Sequence, residues 1–162
     1  MNVKKFQDWR GSQNKIGLFF DGASRGNPGA AGAGGVFISP GGDTEFRYSW
    51  GLETKTNNQA EALALFKGCQ LALHQNLQDI QIFGDSLLLI NLINCNKIPR
   101  NMRLSSYVER VNYLLSKFFF IKIFHALKQL NHEVDSEENN GVLQVPGMFS
   151  SSVLSEEEHP IP

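Results

Sequence analysis

The first third of the chain has the hydrophobic pattern of β-strands. Residues 16–24 and 32–39 predict two strands, and the Pro- and Gly-rich turn at residues 40–43 leads into a third strand at residues 44–51. Aromatic and polar residues alternate in this third segment, so one face of that strand should be buried and the other solvated. The tight turn predicts antiparallel pairing between neighbouring strands.

The pattern then changes to a helical period. Residues 58–75 are apolar around much of a helical circumference, which predicts a substantially buried helix. Residues 118–124 form a nearly continuous apolar run, as expected of a central strand covered on both faces. The same reasoning predicts a short strand at residues 80–83, helices at residues 86–94 and 104–115, and a short last helix from about residue 131.

This order of elements predicts a single α/β domain. Helical crossovers join parallel strands and tight turns join antiparallel ones, so we expect a mixed five-stranded sheet, three strands antiparallel and then two parallel, flanked by helices. A chain of 162 residues suits one such domain, which we assign to residues 15–141. Residues 1–14 are predicted to form a polar N-terminal tail and residues 142–162 a flexible C-terminal tail, because both lack periodicity.

Composition excludes several classes of protein. The chain is 41% hydrophobic and 19% charged, and no apolar run approaches the roughly 20 residues that a membrane helix needs. The N-terminus does not have the pattern of a secretory signal, so we expect an intracellular protein, either nuclear or cytoplasmic. Cys69 and Cys95 lie in apolar segments without CxxC spacing, which favours reduced core thiols over a disulfide or a zinc site.

The net charge of −1 is unusual for a protein that binds nucleic acid, because such proteins commonly present a basic patch to phosphates. Several acids cluster in the last third of the chain, however, which leaves the rest locally more basic. Lys97, Arg100 and Arg103 form one basic stretch. The charge therefore does not exclude a nucleic-acid partner.

Four acids are candidates for a common site. They are Asp21 and Asp85, which each follow an apolar strand segment, Glu61 in the first turn of the buried helix, and Asp135 in the last predicted helix. Taken singly, Asp21 could form an Asx turn, Asp85 could cap a helix and Glu61 could contact a helix dipole. Asp135 could be a surface acid in an acidic stretch. The ends of strands are, however, where α/β proteins commonly bind ligands.

Four segments of the chain carry a family resemblance. They are FFDGASRGNPGAAGAGGVF with Asp21, TNNQAEALAL with Glu61, IFGDSLLLI with Asp85, and HALKQLNHEVDS with Asp135. On these motifs residues 16–141 resemble the ribonuclease H family, in its plant retroelement, reverse-transcriptase-like form. The resemblance implies the ribonuclease H-like fold and a Mg²⁺-dependent endonuclease that hydrolyses the RNA strand of an RNA/DNA hybrid.

The resemblance also implies the metal ligands. Hard cations such as Mg²⁺ prefer oxygen ligands, and two such ions can activate water and stabilise the leaving oxygen in phosphodiester hydrolysis. By resemblance Asp21 bridges two Mg²⁺ ions. Glu61 and Asp85 hold one of them, Asp135 helps to hold the other, and Mn²⁺ is a possible substitute.

Contacts with the substrate follow from the same motifs. By resemblance Gly22 and the loop containing Asn27 approach the sugar-phosphate closely. Asn27, Asn57 and Asn58 resemble family residues that reach the minor groove, where the 2′-hydroxyl distinguishes RNA from DNA. Asn57 could also cap the following helix, and the two roles are compatible.

His125 ends the apolar run that precedes Asp135. The family often has a histidine here that assists proton transfer or product release, so we assign His125 to the catalytic set. A histidine packed at the end of a strand fits the sequence equally well, because a single histidine is weak evidence without geometry.

Departures from the family pattern leave a second hypothesis open. The stretch between Asp85 and the last strand is too short for the extra basic helix with which some family members grip DNA. Glu137 and Glu138 stand where the family usually has an apolar pair, and their charges should loosen the last helix. The alternative is a catalytically weakened module that still binds nucleic acid. An interaction domain without nucleic-acid contact fits the motifs less well.

We expect no membrane partner, and we expect the protein to be either a monomer or a part of a larger polyprotein.

Overall fold

The computed structural model describes residues 5, 8–10, 12–126, 148–151 and 157–162. Its strands are β1 (Ile16–Ser24), β2 (Gly29–Ile38), β3 (Thr44–Lys55), β4 (Asp79–Gly84), β5 (Phe120–His125), β6 (Met148–Ser151) and β7 (Glu157–Glu158). Its main helices are α1 (Asn57–His74), α2 (Leu87–Asn94) and α3 (Met102–Leu115). The helix predicted from about residue 131 lies outside the described residues.

The sheet is built around β1. On one side β1 pairs antiparallel with β2, which pairs antiparallel with β3; on the other side β4 and then β5 continue the sheet in parallel. The order β3-β2-β1-β4-β5 confirms the predicted mixed five-stranded sheet. Helix α1 packs on β1 and β2, and α3 packs on α1. None of the helices described here combines the length and the apolar character needed to cross a membrane.

Helix α1 forms where the sequence predicts a buried helix, and it begins with a capping box. The Thr56 hydroxyl accepts from the N–H of Gln59, and the Thr56 N–H donates to the side-chain oxygen of Gln59. This exchange satisfies backbone groups that the first helical turn leaves without partners. Thr56 is therefore the cap residue, and the interpretation of Asn57 as the cap is wrong because Asn57 is already helical.

Tyr48 of β3 anchors α1 to the sheet. Its hydroxyl donates to the carbonyl oxygen of Ala64 at 2.7 Å. A Cβ on Gly35 would lie 2.3 Å from the Tyr48 ring, and one on Gly68 would lie 2.7 Å from the hydroxyl oxygen. The two glycines therefore leave the space in which this ring lies between β2 and α1.

Strand β5 lies at the edge of the described sheet, so the prediction of a central strand is wrong. It pairs with β4 alone among the residues that the structure describes. Ile121 and Ile123 pack partly buried against the main core, whereas Phe124 packs partly buried in a second cluster. An apolar run indicates contacts on both faces, but it carries no information about how many strands flank it.

The second cluster contains an aromatic stack and part of the predicted N-terminal tail. The ring centroids of Phe19 and Phe83 lie 4.6 Å apart, and those of Phe83 and Phe124 lie 5.4 Å apart. Trp9 packs edge-on against Phe83 and Phe124, and Arg10 is buried. Burial of aromatic surface explains why this part of a polar segment docks on the sheet.

The described parts of the predicted C-terminal tail also pack on the domain. Strand β6 pairs antiparallel with β3, and Phe149 is fully buried. Further along, Trp50 Nε1 donates to the carbonyl oxygen of His159 at 3.1 Å, and the Tyr107 hydroxyl donates to that of Pro162 at 3.1 Å. A four-residue strand is too short to produce a recognisable period, although β6 pairs backbone groups along the edge of β3.

The two cysteines have different environments. Both are free, and Cys69 lies in the core, where burial raises the pKa of its thiol. Cys95 is exposed, so the prediction of a core position is wrong for this residue. Helix α2 ends at Asn94, and the turn that follows directs Cys95 away from the core.

We predict that Phe149→Ala lowers the free energy of unfolding by about 3–5 kcal/mol, the usual range for a large buried aromatic side chain. Phe119→Ala removes the same atoms from a side chain that is 89% exposed, and it should change stability by less than about 0.5 kcal/mol. Urea unfolding of the full chain, followed by circular dichroism, measures both. Equal effects would mean that β6 does not contribute to the core.

Candidate active site

Three of the four predicted acids converge at one edge of the sheet. Asp21 lies in β1, Glu61 in the first turns of α1, and Asp85 directly after β4. One carboxylate oxygen from each lies within 4.8 Å of the other two. Asp21 and Glu61 are buried, whereas Asp85 is partly exposed. The parallel pairing of β1 and β4 explains the approach of Asp21 and Asp85, because it brings the same ends of both strands together.

Gly22 allows Glu61 to approach Asp21. A Cβ on Gly22 would lie 2.2 Å from the carbonyl oxygen of Ala60 and 2.6 Å from the nitrogen of Glu61. Strand β1 and helix α1 can therefore be this close only with glycine at this position. The Gly22 N–H also donates to Asp21 Oδ1 at 2.9 Å, which helps to orient the carboxylate. The sequence motif contained this glycine, but its contact with the helix backbone could not be predicted.

The electrostatics of the site favour a bound cation. Carboxylates carry negative charge at neutral pH, and three of them within a few ångströms repel one another without a positive partner. Burial raises the pKa of the Tyr48 hydroxyl well above its ordinary value, and electrostatic interactions with Cys69, Glu61 and Asp21 raise it further. An all-oxygen donor set of this kind fits Mg²⁺ or Mn²⁺. Asp135 lies outside the described residues.

His125 lies beside the acidic cluster. It is the last residue of β5 and is paired in register with Gly84, the residue before Asp85. Its Nε2 lies 3.2 Å from the backbone oxygen of Asp85, and the side chain is exposed. The structure thus brings His125 to the edge of the site, although its catalytic role stays a prediction.

The loop after β1 is tied to the start of α1. The Asn57 N–H donates to Asn27 Oδ1 at 3.1 Å. Asn57 Oδ1 accepts from the N–H and the hydroxyl of Ser24, at 3.0 and 3.1 Å. Asn58 is exposed in the next position. The three asparagines are therefore neighbours, and Ser24 and the Thr56 cap are supporting residues that sequence reasoning missed. The Thr-x-x-Gln spacing of a capping box could have indicated the cap.

The basic stretch lies near the same end of α1. Lys97, Arg100 and Arg103 are exposed around the start of α3. Asn101 caps α3, and its side-chain oxygen accepts from Gln59 Nε2 at 3.4 Å. The first turns of α1 and α3 are thus connected, which holds the basic stretch near the asparagine loop.

We predict that Gly22→Ala displaces the start of α1, lowers the free energy of unfolding by about 1–3 kcal/mol through overpacking, and weakens Mn²⁺ binding because Glu61 moves away from Asp21. Gly41→Ala is the matched control, since its Cβ would meet only Ser39 Oγ at 3.9 Å. Urea unfolding and Mn²⁺ titration by electron paramagnetic resonance measure the two effects. A folded Gly22→Ala protein with unchanged Mn²⁺ affinity would contradict this account of the site.

Comparisons with known proteins agree with this geometry. Residues 19–137 match the model of the family described as reverse transcriptase-like. The ribonuclease HI of Halobacterium salinarum is 31% identical over 128 residues, which cover 79% of this chain and 64% of the relative. A putative ribonuclease H protein of Arabidopsis thaliana is 29% identical over 119 residues, which cover 74% of this chain and 19% of the relative. The chain thus spans less than two thirds of the length of these curated relatives.

Solved structures with a similar fold are also ribonuclease H proteins. The crystal structure of RNase H1 from Halobacterium salinarum has a TM-score of 0.75 at 31% identity, covering 78% of this chain and 96% of that one. LC11-RNase H1 in complex with an RNA/DNA hybrid has a TM-score of 0.73 at 23% identity, covering 79% of this chain and 96% of that one, which supports the fold alone. With a family match over most of its length, the chain belongs to the reverse transcriptase-like family of ribonuclease H domains.

Proposed function

We propose that this protein is a metal-dependent endonuclease that hydrolyses the RNA strand of RNA/DNA hybrids. The observation that carries the proposal is the convergence of Asp21, Glu61 and Asp85 within 4.8 Å in a family of ribonuclease H domains. Relatives named as ribonuclease H, among them one that is 31% identical, support the same activity.

The acids would hold divalent cations. Asp21, Glu61 and Asp85 supply oxygen ligands, and Asp135 is the fourth ligand by resemblance. Bound Mg²⁺, or Mn²⁺ in its place, would supply an activated water and charge stabilisation at the leaving oxygen. The main contribution of the chain is to fix the carboxylates, with Asp21 oriented by the Gly22 N–H and Glu61 held by the packing of α1.

His125 would assist at the rim of this site. Its exposed ring lies next to the Asp85 backbone, so a ring nitrogen can exchange a proton with a reacting group or with solvent. This position is compatible with proton transfer and with product release, the two roles implied by resemblance.

Recognition of the substrate would use two neighbouring surfaces. Asn27, Asn57 and Asn58 offer amide donors and acceptors to the minor groove, where the 2′-hydroxyls of RNA are displayed. Lys97, Arg100 and Arg103 would contact phosphates of the DNA strand and make binding dependent on salt. The connection between the starts of α1 and α3 supports simultaneous use of both surfaces.

A hybrid-binding module with weak catalysis is the second candidate. It is favoured by Glu137 and Glu138, whose charges oppose packing of the segment that carries Asp135. Binding of hybrid without cleavage at saturating Mg²⁺ would support this candidate over the nuclease.

We predict that Asp21→Asn abolishes cleavage while the fold is retained, because it removes a charge from the metal site at almost constant volume. The loss should exceed the roughly 10–100-fold that removal of a residue supporting a metal ligand costs. Asp79→Asn is the matched control, since Asp79 forms a surface ion pair with Lys15 at 2.8 Å and contributes little. Cleavage of a labelled hybrid and circular dichroism measure both variants; an active Asp21→Asn enzyme would refute the mechanism.

We also predict that the protein binds an RNA/DNA hybrid more tightly than DNA duplex of the same sequence, because the asparagines contact 2′-hydroxyls. Asn58→Ala should weaken hybrid binding by about three- to tenfold, the range expected for one hydrogen bond, and leave duplex binding unchanged. Asn91→Ala, at an exposed position of α2, serves as the control. Fluorescence anisotropy at fixed salt measures these affinities, and equal affinity of wild-type protein for hybrid and duplex would exclude the asparagine contacts.

A further inference from the structure

Lys67 is a buried lysine on α1, outside the acidic site. It is 5% exposed, and its Nζ lies 4.4 Å from the centroid of the Trp50 ring and 5.4 Å from that of Phe149. It follows Glu61 by six positions, which separates the two along the helix axis by about 9 Å. The amine thus belongs to a separate environment, formed where β6 and the C-terminal residues cover α1.

The polar partners of Lys67 form a chain of hydrogen bonds. Its Nζ contacts Gln70 Oε1 at 2.9 Å and His159 Nδ1 at 2.8 Å. The other ring nitrogen of His159, Nε2, lies 2.8 Å from Glu157 Oε1. An ammonium group can only donate, so His159 Nδ1 is the acceptor and the ring hydrogen is on Nε2, donated to Glu157. This is the order of a nucleophile, a base and a carboxylate that orients the base.

The amine form of Lys67 is accessible at mildly alkaline pH. Burial lowers the pKa of Lys67 to about 8, although the charge of Glu157 acts in the opposite direction, and the aromatic faces also favour the cation. A neutral amine has two hydrogens and one lone pair. Gln70 Oε1 and His159 Nδ1 accept the two hydrogens, and the lone pair takes the remaining direction on the nitrogen.

Space for a reactant lies next to the amine. Lys67 and His159 line a surface depression of about 730 Å³, whose wall includes Leu71, Leu73 and Leu114. Among the residues that the structure describes, the other titratable or charged groups around Lys67 and this region are Glu157, His74, Arg110 and Glu158. The leucines suit an apolar chain, and the position of the amine at the wall suits a carbonyl group at its end.

We propose that Lys67 is a nucleophilic amine that forms an imine with an aldehyde carrying an apolar chain, in a site completed by His159 and Glu157. The lone pair of Nζ forms a bond to the carbonyl carbon, and the C=O π electrons move to oxygen. One N–H proton passes through His159 Nδ1 to that oxygen, while Glu157 stabilises the imidazolium. The hydroxyl then leaves as water with the second N–H proton, so amine and aldehyde give imine and water without an oxidant or reductant.

Two residues of this site lie beyond the region shared with the family. The family match ends at residue 137, whereas Glu157 and His159 follow it in the chain. The proposal does not rest on the nuclease function. Nothing in the imine chemistry requires Asp21, Glu61 or Asp85.

The test uses the full chain with hexanal as the aldehyde and sodium cyanoborohydride to reduce the imine, followed by peptide mapping by mass spectrometry. At pH 8 we expect labelling of Lys67 to be at least about tenfold faster than that of the exposed Lys117 and Lys122, because the depression holds the aldehyde against Lys67 and His159 relays the proton. The rate at Lys67 should rise up to about pH 8 and level off above it, because the pKa of this amine is about 8.

The variant His159→Gln tests the relay. The glutamine amide cannot carry a proton, so labelling of Lys67 should slow by about 100-fold or more, the usual range for general acid–base catalysis, while Lys117 is unaffected. Labelling of Lys67 in the wild-type chain no faster than of Lys117 would overturn the proposal without reference to any variant. An unchanged rate at Lys67 in a folded His159→Gln protein would overturn the part assigned to His159 and Glu157.

Discussion

The close contact between β1 and α1 is the constraint on which the candidate nuclease site depends. At Gly22 the strand backbone meets the helix backbone at Ala60 with no room for a side chain. This contact brings Asp21 and Glu61, from different elements, to one buried position. Repulsion between the two carboxylates opposes it, so the packing of the rest of α1 must hold the helix in place. The apolar face of α1 therefore serves both the core and the site.

Tyr48 provides a second contact on the other side of Glu61. Its hydroxyl reaches Ala64, so the residues before and after Glu61 are each fixed to the sheet, one by a glycine contact and the other by a hydrogen bond. Because the phenol is buried and its pKa is raised, it stays a donor over the whole physiological pH range. The positions of the carboxylates therefore do not depend on the protonation of Tyr48. They depend instead on how α1 packs against the sheet.

The sequence predicted those parts of the fold that depend on local pattern. The spacing of the hydrophobic residues indicated β1, the buried helix α1 and the mixed sheet. The positions of Asp21 and Asp85 at the ends of strands indicated where these two acids would meet. Contacts between distant residues were not predictable. No residue near Gly22 in the sequence indicates that Gly22 contacts Ala60, and the apolar run of β5 does not indicate that this strand lies at the edge of the sheet. The packing of Phe149 was missed for the same reason: its partners lie about a hundred residues earlier in the chain.

Helix α1 carries two buried ionisable groups of opposite sign, and the structure accommodates them in different ways. Removal of a charge from water is costly unless partners compensate for it. At Glu61 the neighbouring carboxylates of Asp21 and Asp85 are like charges, and a bound cation would relieve their repulsion. At Lys67 the neighbours are aromatic faces and neutral acceptors, and part of the cost is avoided because the amine can lose its proton. The same helix would thus hold a metal near its start and an amine that can lose its proton near its middle.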